Sequence, residues 1–162
     1  MASGRKTQLR VLRGFDVPAE GRGFAALITM IRVVGRMNDA MAQLVKPHGL
    51  TSAHFEVLLT LKGGEGISQQ ELSERLLMTK GNACVTVQKM EALGLLERRA
   101  DPTDQRFQRL YMTDAGRKLL ARVMPEHQAE IKQMLHGLSL AEQKTLHELL
   151  LRVEQTFDEA EA

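Results

Sequence analysis

ISQQELSERLLMTKGNACVTVQKMEALG, residues 67–94, is the stretch whose reading decides the fold. Ser68 and Glu71 have the Ser-x-x-Glu spacing in which a hydroxyl and a carboxylate cap each other's backbone amide, so a short helix opens here and runs to about Leu77. Thr79 supplies a second capping oxygen. Behind it Ala83, Val87 and Met90 fall on one side of a helix from Lys80 to Leu93, which Gly94 ends. Two short helices joined by a tight turn predict a helix-turn-helix. With Val87 at the centre of the buried side and about 100° added per residue, Gly81, Val85, Gln88 and Ala92 point outward. Asn82 and Lys89 then occupy one shoulder and Cys84 the other.

After Gly94 the period changes. Leu95 to Ala100 and Phe107 to Met112 read as two strands, the second alternating Phe107, Arg109 and Tyr111 against Gln108, Leu110 and Met112. Between them, Asp101-Pro102-Thr103-Asp104-Gln105-Arg106 is dense in turn formers. A strand, turn and strand directly after a helix-turn-helix form a wing. Upstream, Arg22 to Lys46 carries apolar residues at three- and four-residue steps and stops at Pro47 and Gly49. Leu50-Thr51-Ser52 opens a second helix with Phe55, Leu58, Leu59 and Leu61 as its buried stripe, ended by Gly63-Gly64-Glu65-Gly66. Downstream, Thr113 caps a helix expected to run to about Leu138 and to bend at Pro125. Ser139-Leu140-Ala141-Glu142 caps a last one, with Leu146, Leu149, Leu150, Val153 and Phe157 on its apolar side.

The fold class expected is therefore mostly α: a winged helix-turn-helix with a two-stranded β wing and long N- and C-terminal dimerisation helices. Residues 1–48 form an arm and the first dimerisation helix, 49–112 the winged lobe, and 113–162 the C-terminal dimerisation helices, intertwined as one domain. A single monomer leaves the end helices little to bury against, which predicts a homodimer.

Composition agrees with a helical protein of this size. The 162 residues are 43% hydrophobic and 26% charged, without Trp and with one Tyr. No apolar run approaches the ~20 residues of a membrane span, so no membrane partner is expected. The opening MASGRKTQLR lacks the apolar stretch of a secretory signal and there is one cysteine, so the expected compartment is cytoplasmic. Net charge is +2, but residues 1–36 carry seven bases against Asp16 and Glu20, whereas 139–162 carry six acids against Lys144 and Arg152. These opposed ends either attract each other within a dimer or are two solvated surfaces. His48, His54, His127, His136 and His147 are dispersed without a zinc spacing, and no nucleophile elbow, phosphate loop or paired carboxylate appears. No metal, cofactor or catalytic centre is expected, and hence no enzyme.

The small, hydrogen-bonding outward face suits a helix laid in a major groove of double-stranded DNA. Gln88 or Asn82 can pair with adenine, Lys80 or Lys89 with guanine or phosphate, and Val85 with a thymine methyl. Ser68, Gln69 and Thr79, at the starts of the two helices, and Arg98, on the incoming strand beside Arg99, join the candidate DNA-binding residues. Arg106 at the wing tip suits a narrow minor groove. Asp104, itself repelled by phosphate, either accepts backbone amides of the turn or orients Arg106. Two other readings stay open: a winged helix that serves protein interaction without DNA contact, and a thiol-based redox sensor acting through Cys84.

Over roughly Leu50 to Gly116 the chain resembles the MarR family of bacterial transcription factors. The resemblance is carried by Leu50-Thr51, by Ile67-Ser68-Gln69-Gln70-Glu71-Leu72-Ser73-Glu74, and by Met90-Glu91-Ala92-Leu93-Gly94-Leu95-Leu96-Glu97-Arg98. It continues in Asp101-Pro102-x-Asp104-x-Arg106 and in Leu110-Tyr111-Met112-Thr113-Asp114-Ala115-Gly116. The last stretch is similar to the family's Leu-Thr-x-x-Gly junction, with Tyr-Met inserted after Leu110 or Met112 standing for the Leu. The resemblance implies a dimer with interlocked end helices reading a pseudo-palindromic operator, most often as a repressor. It marks Gly81, Cys84 and Val85 as base-proximal and Arg106 as the minor-groove residue. Many relatives hold a long polar residue where Val85 stands, which shifts specificity here toward groove shape. The family also implies a small aromatic or anionic effector in a cleft between arms and lobe; Ile31, Val34, His54, Phe55 and Leu59 either line it or are plain core.

Overall fold

The computed structural model describes residues 21–161, with side chains to Phe157. Arg5, Lys6, Arg10, Arg13, Asp16 and Glu20 of the charge asymmetry, and the side chains of Asp158, Glu159 and Glu161, lie outside the described residues. The elements in chain order are α1 (Arg22–Val45), a 3-10 turn (Lys46–His48), α2 (Ser52–Gly63), β1 (Ile67–Ser68), α3 (Gln69–Arg75) and α4 (Lys80–Ala92). They continue with β2 (Leu96–Ala100), β3 (Gln108–Met112), α5 (Asp114–Met134) and α6 (Leu140–Glu161). Among the described residues no helix is long and apolar enough to cross a membrane. The chain forms two compact units, one ending at Asp39 and the other beginning at Ala40.

In the first unit, α1 shows Phe24, Leu27, Ile31, Val33, Val34 and Met37 to solvent. The second unit holds the core: Val45, Leu50, Phe55, Val57, Leu58, Leu61, Ile67, Leu72, Val87, Met90, Leu95, Leu96, Leu110, Met112, Leu120 and Val123. Each fully buried aliphatic side chain contributes about 1.5–3 kcal/mol, against about 0–1 kcal/mol for an exposed ion pair. This core therefore holds the lobe together, and the ion pairs described below set geometry. Helix α2 is buried over a wider arc than its expected stripe, because it packs against α3, α4, α5 and β3. His54 and Val57 are accordingly buried beside Phe55, Leu58 and Leu61.

Local signals place the element ends. Thr51 accepts the His54 amide at 3.2 Å and His54 Nδ1 accepts the Thr51 amide, a reciprocal cap for α2. Helix α4 ends in a Schellman turn: Gly94 sits at φ +67°, its amide donates to Glu91 O, and the Leu95 amide reaches back to Met90 O. The first helix of the pair ends two residues earlier than expected, at Arg75, and Leu77 in the following turn takes φ +49°.

The wing is the expected pair of strands, β2 and β3, and among the described residues a third, unread strand joins it, giving a sheet in the order β1-β3-β2, all antiparallel. Ile67 pairs with Leu110 and Ser68 with Arg109; a two-residue strand carries no readable alternation, so only pairing reveals it. Helix α5 continues through Pro125 but stops at Met134 instead of near Leu138. The amides of Leu135, His136 and Leu138 instead close tight turns on Ile131, Gln133 and Leu135.

Candidate nucleic-acid interface

The site is built on α4, on the wing between β2 and β3, and on the cap of α3. Thr79 accepts the Asn82 amide at 3.2 Å and so fixes the start of α4. Ala83, Val87 and Met90 are buried, which leaves Lys80, Gly81, Asn82, Val85, Gln88, Lys89 and Ala92 exposed and Cys84 half-buried at the edge. None of these exposed positions is acidic and the first turn of α4 holds no carboxylate. The unpaired amides at its N-terminus therefore keep their positive end uncompensated, beside Lys80. His54 of α2 lies close enough to Lys89 to feel its charge; burial first, and this repulsion second, push the imidazole below its ordinary value.

Arg106 stands at the wing tip with its side chain 85% exposed. Its Nε donates to Asp104 Oδ1 at 3.0 Å and its Nη2 to Asp104 Oδ2 at 2.6 Å, while the Arg106 amide donates to the same Oδ1 at 3.0 Å. Asp104 thus does both things its position allowed, holding the turn and orienting the guanidinium. The pair lowers the carboxyl and raises the guanidinium relative to their ordinary values, through the side-chain hydrogen bonds first.

Other candidates are engaged inside the lobe. The Ser68 hydroxyl accepts the Glu71 amide at 3.1 Å, and Glu71 Oε2 accepts the Ser68 amide at 2.6 Å. Arg98 donates through Nη2 to Gln69 Oε1 at 3.0 Å, and its Nε lies 3.5 Å from Glu91 Oε2, so it braces β2 to α3 and α4. Arg99 lies over the Tyr111 ring, 4.4 Å from its centroid, and pairs with Glu97. The residues expected to line an effector cleft divide between the units: Ile31 and Val34 are exposed on α1, His54 and Phe55 are buried in the second unit, and Leu59 packs against that core.

Residue-by-residue reading of the sequence missed Asp101 and Arg109. Asp101 is buried at the base of the wing and accepts Thr103 N at 2.8 Å, Thr103 Oγ1 at 2.6 Å and Asp104 N at 3.3 Å. Arg109 Nε donates to its other oxygen at 2.5 Å. The Thr103 bonds first, and Arg109 after them, hold the Asp101 carboxyl far below the ordinary range. Strand alternation had put Arg109 on the face away from Leu110 and Met112, but its partners lie 8 and 38 residues away in sequence and leave no local signal.

A winged lobe with these features is found in known proteins. A model of the MarR family matches residues 48–106. The HTH-type transcriptional regulator MhqR of Bacillus subtilis (strain 168) is 35% identical over 128 residues, covering 78% of this chain and 87% of that protein. The chain belongs to the MarR family. This makes it a winged helix-turn-helix transcriptional regulator and not an enzyme. The crystal structure of another MarR family transcription regulator shares the fold at a TM-score of 0.78 and 20% identity, over 87% of this chain and 93% of that one. A MarR variant from E. coli, crystallised with operator DNA, superposes at a TM-score of 0.72 with 23% identity, over 81% of this chain and 93% of that one.

Proposed function

We propose that this MarR-family regulator binds a pseudo-palindromic operator as a homodimer in the cytoplasm, with residues 49–112 as the reading lobe and residues 1–48 and 113–162 as the pairing arms. One α4 enters the major groove of each half-site, and Arg106 enters the flanking minor groove. The observation that carries this reading is the pairing of an acid-free, exposed α4 face with an exposed arginine held at the wing tip by Asp104. The solved complex of the E. coli relative with operator DNA supports it by analogy of fold. Bound at a promoter, such a dimer represses by excluding polymerase, and a small aromatic or anionic effector releases it by favouring a spacing of the two α4 helices that no longer matches a helical turn, ~34 Å.

Pairing of the arms is supported by the apolar surface they leave open. Leu146, Leu149, Leu150, Val153 and Phe157 are all exposed on α6, more than an isolated helix in water tolerates. The experiment is a titration of fluorescent duplex DNA, selected from fragments of the native genome, across a range of salt. Phosphate neutralisation releases counterions, so log affinity should fall linearly with log salt, by about 0.9 per phosphate contacted. A flat salt response, or no binding, would favour a winged helix that contacts protein alone.

A further inference from the structure

We infer that Arg109 is a positioning residue for DNA reading: it locks the wing that carries Arg106 to the capped N-terminus of α3, and so fixes the wing tip relative to the helix-turn-helix. The inference rests on the reading just proposed. Arg109 lies on the central strand, opposite Ser68 of β1 and Arg99 of β2. Its Nε donates to Asp101 Oδ2 at 2.5 Å, and its Nη1 donates to Glu71 Oε2 at 3.1 Å.

Each acceptor carboxylate is already committed to a backbone amide. Glu71 Oε2 holds the Ser68 amide at the start of α3, and Asp101 Oδ1 holds the Thr103 and Asp104 amides of the wing turn. The Asp101 amide also donates to Phe107 O at 2.9 Å, closing the base of the wing. One guanidinium therefore completes a line of hydrogen bonds running Ser68, Glu71, Arg109, Asp101, Asp104, Arg106. The bridge needs a fork: two nitrogens about a bond angle apart, each on a different carboxylate, which a planar guanidinium offers and a single ammonium does not. Arg99, directly opposite, is turned away to Glu97 and Tyr111 and does not compete for these acceptors.

The alternative is that Arg109, half-exposed, touches phosphate itself. Lysine separates the two, since it restores a phosphate contact and cannot restore the fork. Hydrogen exchange on the free protein is measured first for Arg109→Lys and Arg109→Gln. The Thr103 and Asp104 amides should exchange faster in both variants, while amides of the α2 core stay protected. Unchanged wing exchange would overturn the lock.

The second arm is a double-mutant cycle on the selected duplex. Arg106→Ala should weaken wild-type binding by about 5- to 150-fold. In either Arg109 background that penalty should shrink by about threefold or more, because a loose wing no longer delivers Arg106 to its groove. The salt slopes of Arg109→Gln and Arg109→Lys should equal each other, because both lose the same delivery of Arg106 and neither loses a phosphate contact of residue 109. Additive penalties overturn the inference, as does a slope lowered by about one phosphate in Arg109→Gln and restored in Arg109→Lys. Absence of salt-dependent binding by the wild type would instead sink the DNA-reading proposal, and the exchange arm would still decide the lock.

Discussion

Replacing Gly116 with alanine inserts one methyl group at the junction where the wing returns to α5, and the structure fixes what that methyl would strike. An ideal Cβ at Gly116 falls 2.1 Å from the Leu95 carbonyl oxygen and 2.8 Å from Met112 Cγ. Ordinary carbon–oxygen contacts begin at about 3.3 Å, so the overlap with the carbonyl exceeds an ångström. Met112 can rotate, but the Leu95 oxygen is held by the Thr113 amide at 3.1 Å. Thr113 in turn donates its hydroxyl to Gly94 O at 2.6 Å and accepts the Gly116 amide. Relief therefore means displacing the start of α5 from the end of α4. Overpacking of this kind costs about 1–3 kcal/mol, and a disturbed backbone hydrogen bond adds about 1. The helix propensity of alanine returns about 1, leaving a net loss near 2 kcal/mol. The control is Gly81→Ala in α4, where a Cβ meets nothing within 4 Å and propensity alone should stabilise by up to about 1 kcal/mol. Urea unfolding followed by circular dichroism, at one fixed protein concentration, should move the two midpoints in opposite directions. A Gly116→Ala midpoint at or above that of wild type would refute the packing argument.

Three further outcomes are expected. Leu77 is 96% exposed at φ +49°, so Leu77→Gly forfeits no packing and removes left-handed strain. Stability should rise by about 0.5–1 kcal/mol; a fall would mean that the turn is not strained. Burial holds His54 and His127 below the ordinary histidine value of 6.5. The unfolded chain then binds more protons than the native one below about pH 6.5, and stability should decline as pH drops through that range. Urea midpoints at pH 7.5 and 5.5 check the sign, and His127→Leu, whose parent Nδ1 is buried without a hydrogen-bond partner, should flatten the slope. Leu150→Glu on the open face of α6 should convert the proposed dimer into a folded monomer by light scattering, and an unchanged mass would remove that face from the pairing surface.

How much of this was legible depended on how far apart the interacting residues lie. The reciprocal caps at Ser68 with Glu71 and at Ser139 with Glu142 are three-residue events and are present as read. Sidedness of α4 followed from helical period alone, since Ala83, Val87 and Met90 are the residues it buries. Asp104 with Arg106 is a two-residue contact and was readable as a choice between two roles, both of which it fills. What stayed hidden is long-range. Strand β1 exists because Ile67 and Ser68 meet Leu110 and Arg109, and Arg98 looked like a free cation until Gln69 and Glu91 came within reach. The extra burial of α2 belongs to the same class, because a linear pattern shows one face and not how many neighbours cover it.

The most direct test of the central claim is the affinity of Arg106→Ala for the selected duplex at matched salt, with lobe stability checked by urea unfolding. Removing a side chain that is 85% exposed should leave the unfolding midpoint in place and weaken operator binding by about 5- to 150-fold. Coincident binding curves for mutant and wild type would contradict the account.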